Sequence, residues 1–199
     1  MIALCNEEGI RKASSIVKKG GTVVFPTDTV YGLGCDPRNP QAVQSVYRIK
    51  GRNESKHLPI LGFSVDEISK IAFFDELSKK IADKFWPGPL TLILKIKDYE
   101  IAKSLNLTNK VAVRVPNHPC TLALLRECRI LVGTSANPSG LSPSGDVKEI
   151  VDKLGGYDIL LDGGKINDPI ESTVVEMNEN QLKILRSGKI SEEELLAVV

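Results

Sequence analysis

The feature that most constrains this chain is an alternation: short β-branched, apolar runs recur along it, with amphipathic stretches of helical spacing between them. Residues 22–26, 58–63, 90–96, 111–115, 130–132, 159–161, 173–177 and 182–185 read as strands, being brief, apolar and bounded by turn formers. Residues 7–19, 40–49, 66–71, 75–85, 119–128, 147–154 and 192–198 read as helices. The first helix sets Ile10, Ala13, Ile16 and Val17 on one face and stops at Gly20 and Gly21. The last opens with Ser191 and Glu194 at capping-box spacing. Interleaved strands and helices predict an α/β fold, and the closely spaced strands at Thr173 and Leu182 predict an antiparallel hairpin, which makes the sheet mixed. With no repeat, low-complexity segment or linker, the 199 residues read as one domain, 1–199.

Composition narrows the partners. Lys and Arg number 26 against 25 Asp and Glu, so no bulk field holds nucleic acid or membrane, and any anion site has to be local. Cys5, Cys35, Cys120 and Cys128 show no CxxC spacing and lie far in sequence from His57 and His118, which argues against structural zinc. No basic-then-apolar leader opens the sequence, and no window approaches the ~18 apolar residues of a membrane span. A cytoplasmic protein with reduced thiols is expected.

Two segments carry chemistry. Arg48, Lys50, Arg52 and Lys56 cluster around Gly51 at the end of a predicted helix. Such cations suit a polyphosphate, because a leaving pyrophosphate gains charge as its bond breaks and cations stabilise that transition state more than the ground state. They equally suit a solvated helix end, where cations complement the dipole. The second segment is Gly133-Thr134-Ser135-Ala136-Asn137-Pro138-Ser139-Gly140, followed by Ser142-Pro143-Ser144-Gly145, directly after the apolar run at Ile130. Small hydroxyls and amides on a Gly/Pro loop after a strand match the needs of phosphate and ribose recognition, and also those of an ordinary turn. Known nucleotide fingerprints are absent: Gly32-Leu33-Gly34 begins like a dinucleotide motif, but Pro37 stands where its third glycine belongs. No hydrolytic triad is visible, and His57 and His118 read as loop residues. Glu171-Ser172-Thr173 can line a pocket or simply open a strand. Arg114, a cation on an apolar strand, is more often a paired structural charge than a catalytic one.

Taken together, Pro26-Thr27-Asp28-Thr29-Val30-Tyr31-Gly32-Leu33-Gly34, Lys50-Gly51-Arg52 with Lys56, Trp86-Pro87-Gly88-Pro89-Leu90-Thr91, Ala112-Val113-Arg114-Val115-Pro116 with His118-Pro119, Ser135-Ala136-Asn137 and Glu171-Ser172-Thr173 resemble the YrdC family, in order from about Gly20 to Arg186. The resemblance implies a twisted mixed β-sheet with flanking helices and a concave basic cleft. It implies synthesis of threonylcarbamoyl-AMP and pyrophosphate from L-threonine, bicarbonate and ATP, for the threonylcarbamoyladenosine modification of tRNA. By the same resemblance Lys50, Arg52, Ser135 and Asn137 hold the ATP phosphates and carry the catalysis, with Lys56 beside them. Ser144 and Arg186 contact the nucleotide, and Thr29, Arg114 and Ser172 surround the threonine. Magnesium is expected to arrive on ATP, with no protein metal site, and a downstream threonylcarbamoyl transferase to take the product.

Two positions depart from the family pattern: Asn53 and Ser187 stand where proline is usual, which loosens two loops. Longer family members carry a further C-terminal domain, so the resemblance is to the short, single-domain form. Two other readings stay open. A module that holds double-stranded RNA or tRNA without catalysis would use the same cations. A carbamoyl-adenylate site, as in hydrogenase-maturation enzymes, would take carbamoyl phosphate instead of threonine.

Overall fold

The computed structural model describes residues 1–178 and 181–198. The α/β reading holds, but two mixed sheets stand where one was expected. The first has the order β1 (Ile2–Leu4), β9 (Ile159–Asp162), β2 (Val23–Phe25), β3 (Gly32–Gly34) and β8 (Thr134–Ser135). The second runs β11 (Gln181–Arg186), β10 (Thr173–Asn178), β5 (Leu90–Lys95), β6 (Lys110–Arg114), β4 (Ile60–Gly62) and β7 (Ile130–Val132). β10 and β11 form the expected antiparallel hairpin. β7 belongs to one sheet and β8 to the other, so the chain steps between them across Gly133 alone. That step demands glycine, since a Cβ there would stand 2.4 Å from Cγ of Leu61.

The predicted helices form as α1 (Glu7–Lys18), α2 (Pro40–Lys50), α3 (Val65–Ser69), α4 (Glu76–Phe85), α6 (Pro119–Cys128), α7 (Val147–Lys153) and α8 (Glu192–Leu196). α8 carries the full capping box of Ser191 and Glu194. Sequence reading missed α5 (Tyr99–Ser104), only 6 residues long, together with β1, β3 and β8. β3 looked like a loop because of its glycines. They are there for close approach: a Cβ on Gly34 would lie 2.0 Å from the Val132 carbonyl oxygen, and one on Gly32 2.8 Å from the Phe25 ring.

α1 and α6 pack on the first sheet through Ile10, Ala13, Val17, Leu124 and Leu125 against Phe25, Ile159 and Leu161. Each fully buried aliphatic of this kind contributes about 1.5–3 kcal/mol by leaving water. The same packing corrects an expectation about the cysteines. Cys5 and Cys120, 115 residues apart, are joined by a disulfide of 2.08 Å. Pairing of β1 with β9 and packing of α1 on α6 bring the turn after β1 against the first turn of α6, a juxtaposition that spacing along the chain does not encode. Cys35 and Cys128 remain thiols; burial raises both, Cys128 to about 11. Among the described residues no helix is long and apolar enough to cross a membrane.

Candidate active site

Where β2 ends, Thr27 shapes the loop. Its hydroxyl donates to the Val30 carbonyl (2.6 Å), accepts from the amides of Thr29 (3.1 Å) and Val30 (3.2 Å), and lies 2.9 Å from Thr29 Oγ1. This turn, made by a side chain standing in for backbone, fixes Thr29 facing inward. From the end of β6, Arg114 reaches the same loop. Its Nη1 donates to Thr29 Oγ1 (3.0 Å), its Nη2 to Asp28 Oδ1 (2.6 Å) and its Nε to the Gly88 carbonyl (2.9 Å). Asp28 Oδ1 also accepts the Asn117 amide, and Lys189 Nζ donates to the Asp28 carbonyl. Arg114 therefore has a protein carboxylate as its partner, so it does not wait unpaired for a substrate carboxylate. Burial lowers its pKa and Asp28 counteracts that.

Arg186, at the end of β11, reaches back over the entry to β10. Its Nε and Nη2 donate to the Ser172 carbonyl at 3.2 and 2.9 Å, Nη2 also to Ser172 Oγ at 3.1 Å, and Nη1 to Glu171 at 2.8 Å. Ser172 Oγ lies 2.8 Å from Thr91 Oγ1 on β5.

The cation cluster splits. Lys50 is only 3% exposed at the end of α2, so the reading of a solvated helix end does not hold for it. Its ammonium donates to the carbonyls of Ser135 and Asn137, the latter at 2.7 Å, while the Ser139 amide donates to the Lys50 carbonyl. It thereby ties the Ser135–Asn137 loop to α2. Burial, with help from Arg52 and against Glu171, pulls its pKa down to about 8. Gly51, in the left-handed region at φ 59°, turns the chain so that Arg52 donates to the Lys56 and His57 carbonyls at 3.0 and 3.2 Å. Arg48 and Lys56 lie outside this constellation, and Lys56 is exposed.

These segments enclose a cavity of about 290 Å³ to which both sheets contribute. Thr29, Arg52, Arg114, Ser135, Ser172 and Arg186 line it. Lys50 and Asn137 stand behind the Ser135 wall, and Ser144 does not join: it borders a separate depression with Asp146 and Lys165. Three arginines line the cavity, two of them bonded to carboxylates, so its charge is less one-sided than a concave basic cleft implies. His57 lines it, and His118 instead begins α6. Sequence reading missed Asp28 and Thr91. Both stand inside quoted motifs, but their partners lie 86 and 81 residues away.

Fold and site together define an α/β protein that gathers guanidinium groups and hydroxyls from distant strands around one anion-sized cavity. The Sua5/YciO/YrdC family model, described as telomere recombination, matches residues 15–188. The chain belongs to that family. A threonylcarbamoyl-AMP synthase of Bacillus subtilis is 33% identical over 198 residues, covering 98% of this chain and 57% of its own length. A relative in Methanocaldococcus jannaschii is 37% identical over 193 residues, covering 93% of this chain and 90% of its own. A crystal structure of P. abyssi Sua5 complexed with L-threonine superposes with a TM-score of 0.90 at 32% identity, over 100% of this chain and 59% of that one. The chain thus spans little more than half the length of two of these three relatives.

Proposed function

We propose that this chain is a nucleotidyltransferase that makes threonylcarbamoyl-AMP and pyrophosphate from L-threonine, bicarbonate and ATP, for threonylcarbamoyladenosine formation on tRNA. The observation that carries the reading is one cavity shared by Arg52 and Ser135 on one side and by Thr29, Arg114 and Ser172 on another, in a chain related to threonylcarbamoyl-AMP synthases. In this reading the threonine amine captures carbon dioxide or bicarbonate as a carbamate. A carbamate oxygen attacks the α-phosphorus, and the bond to pyrophosphate breaks. Positioning and charge neutralisation supply most of the rate.

Arg52 and Arg186 take the phosphates and nucleotide, and Ser135 adds a directed hydroxyl. Lys50 and Asn137 hold the wall that carries Ser135, with Lys56 and Ser144 at the periphery. Thr29, Ser172 and the unbonded N–H groups of Arg114 contact the amino acid. In this reading magnesium enters on the triphosphate as part of the substrate, where it offsets the charge of the phosphates. The product passes to a threonylcarbamoyl transferase in the cytoplasm. Pyrophosphate release from ATP, measured with and without threonine and bicarbonate, tests the reading: release that needs both supports it, and release indifferent to both ends it.

A further inference from the structure

The Cys5–Cys120 bridge lies against the outer side of the loop that carries Asp28 and Thr29. Gly163 is wedged between bridge and loop: a Cβ there would stand 3.2 Å from Cys5 Sγ and 2.7 Å from Pro26 Cγ. One residue past Cys120, the Thr121 hydroxyl donates to the Pro26 carbonyl, and just before α6 the Asn117 amide donates to the carboxylate that grips Arg114. The first turn of α6 is therefore bonded to one end of the Pro26–Asp28 segment, and the lead-in to α6 to the other. The disulfide ties that turn to the β1–α1 turn.

The bridge is also reachable. Both cysteines line an open groove of about 680 Å³ between α1 and α6, alongside Arg11, His118 and Arg126. Cys120 is the second residue of α6, where the helix N-terminus stabilises a departing thiolate. Cys5 is the more exposed residue of the two and so the one we take as open to attack. Cys120 belongs to the apolar core under α6, which accepts a small thiol, so opening the bridge releases a tether and leaves the fold intact.

We propose that Cys5–Cys120 is a thiol–disulfide exchange site, taking a dithiol reductant, whose state sets how firmly the Asp28–Arg114 side of the cavity is held. A reductant thiolate attacks Cys5 Sγ, the Cys5–Cys120 bond breaks, and Cys120 leaves as the thiolate. The second reductant thiol then attacks the mixed disulfide and frees Cys5. Two electrons and two protons pass to the protein, and the reductant closes its own disulfide. The functional consequence rests on the activity proposed above.

The test uses the intact protein, oxidised and after dithiothreitol, with the cysteines alkylated under denaturation and weighed. Two alkylations before reduction and four after are expected, because Cys35 and Cys128 are thiols in both states. Reduction is expected to raise the apparent threonine constant about fivefold, the low end of couplings between sites, with ATP binding unchanged. It should also lower amide protection over residues 26–30, and reoxidation should restore both. Cys5→Ser, and Cys5→Ala with Cys120→Ala as a second variant, should behave as permanently reduced. Four alkylations in protein isolated without reductant overturn the proposal, as does verified reduction that leaves residues 26–30 equally protected. So does a response to dithiothreitol that survives in the double variant. If neither state releases pyrophosphate in response to threonine, the proposed activity has failed, and amide protection alone decides the fate of the exchange site.

Discussion

Replacing Asp28 with alanine leaves Arg114 as a buried cation without its counter-charge. The two side chains are 14% and 7% exposed and meet at 2.6 Å. Breaking such a pair by removing one partner costs about 3–5 kcal/mol, because the survivor keeps its desolvation penalty. Losing the acceptor for the Asn117 amide adds less, since Asn117 is exposed and water replaces it. Arg114→Met should cost a similar about 3–5 kcal/mol, now stranding the carboxylate. The double variant removes both charges and strands neither, so it should cost less than either single change, leaving mainly lost packing and lost hydrogen bonds, and the coupling is at least as large as either single effect. Urea unfolding followed by circular dichroism measures all three, with the slope checked for constancy. Single variants costing under about 1 kcal/mol, or costs that add in the double variant, would refute an ion pair as what holds this side of the cavity.

Arg52→Ala should lower the rate of pyrophosphate release by about a hundredfold or more with the fold retained, as loss of a charge contact to the transition state does; near wild-type turnover in a folded variant removes Arg52 from the phosphates. Lys50 has a folded pKa of about 8, below its ordinary 10.5, so its ammonium is present below that pH and is lost as pH rises through it. Activity that depends on the carbonyl clamp should therefore fall above about pH 8, and Lys50→Met should be slower but lack that limb; an identical limb in Lys50→Met assigns it to another group. Gly34→Ala would place a methyl 2.0 Å from the Val132 carbonyl and should destabilise by about 3 kcal/mol or more in thermal melts; a loss under 1 kcal/mol would mean that the backbone yields there.

The periodic parts of the fold were legible. α6 was predicted with the bounds found, and α2 to within one residue: proline at N1 marks where each helix starts, and Gly51 marks where α2 stops. What escaped is what only the assembled chain defines. β3 and β8 earn their place through pairing with one another, Gly32 opposite Ser135, and not through apolar content. The division into two sheets turns on Gly133, one glycine within a loop read for its hydroxyls. The disulfide joins residues 115 apart, and no spacing rule reaches that far.

The same distinction divides the site residues. Arg114 stood out as a cation on an apolar strand, a position more often held by a paired structural charge, and it is paired; the partner, Asp28, stood inside a quoted motif and was invisible as such. Lys50 stood out as one of four cations on a turn, yet burial converts it from a ligand displayed to solvent into a clamp on backbone carbonyls. Once these partners are counted, the cavity has a direction. Arg114 and Arg186 each bond a carboxylate, whereas Arg52 and Lys50 bond only carbonyl oxygens, which fix a side chain without cancelling its charge. Of the arginines that line the cavity, the one without a bonded carboxylate is therefore Arg52, where α2 ends, against the wall that carries Ser135. A polyanion entering the cavity gains most with its densest charge there. On the Asp28–Arg114 side the lining guanidinium is paired with a carboxylate and hydroxyls are plentiful, which suits a zwitterion whose own charges nearly cancel. This asymmetry supports the orientation proposed for the triphosphate and the amino acid, and it comes from which partners the fold gives each cation, not from the number of cations in the sequence.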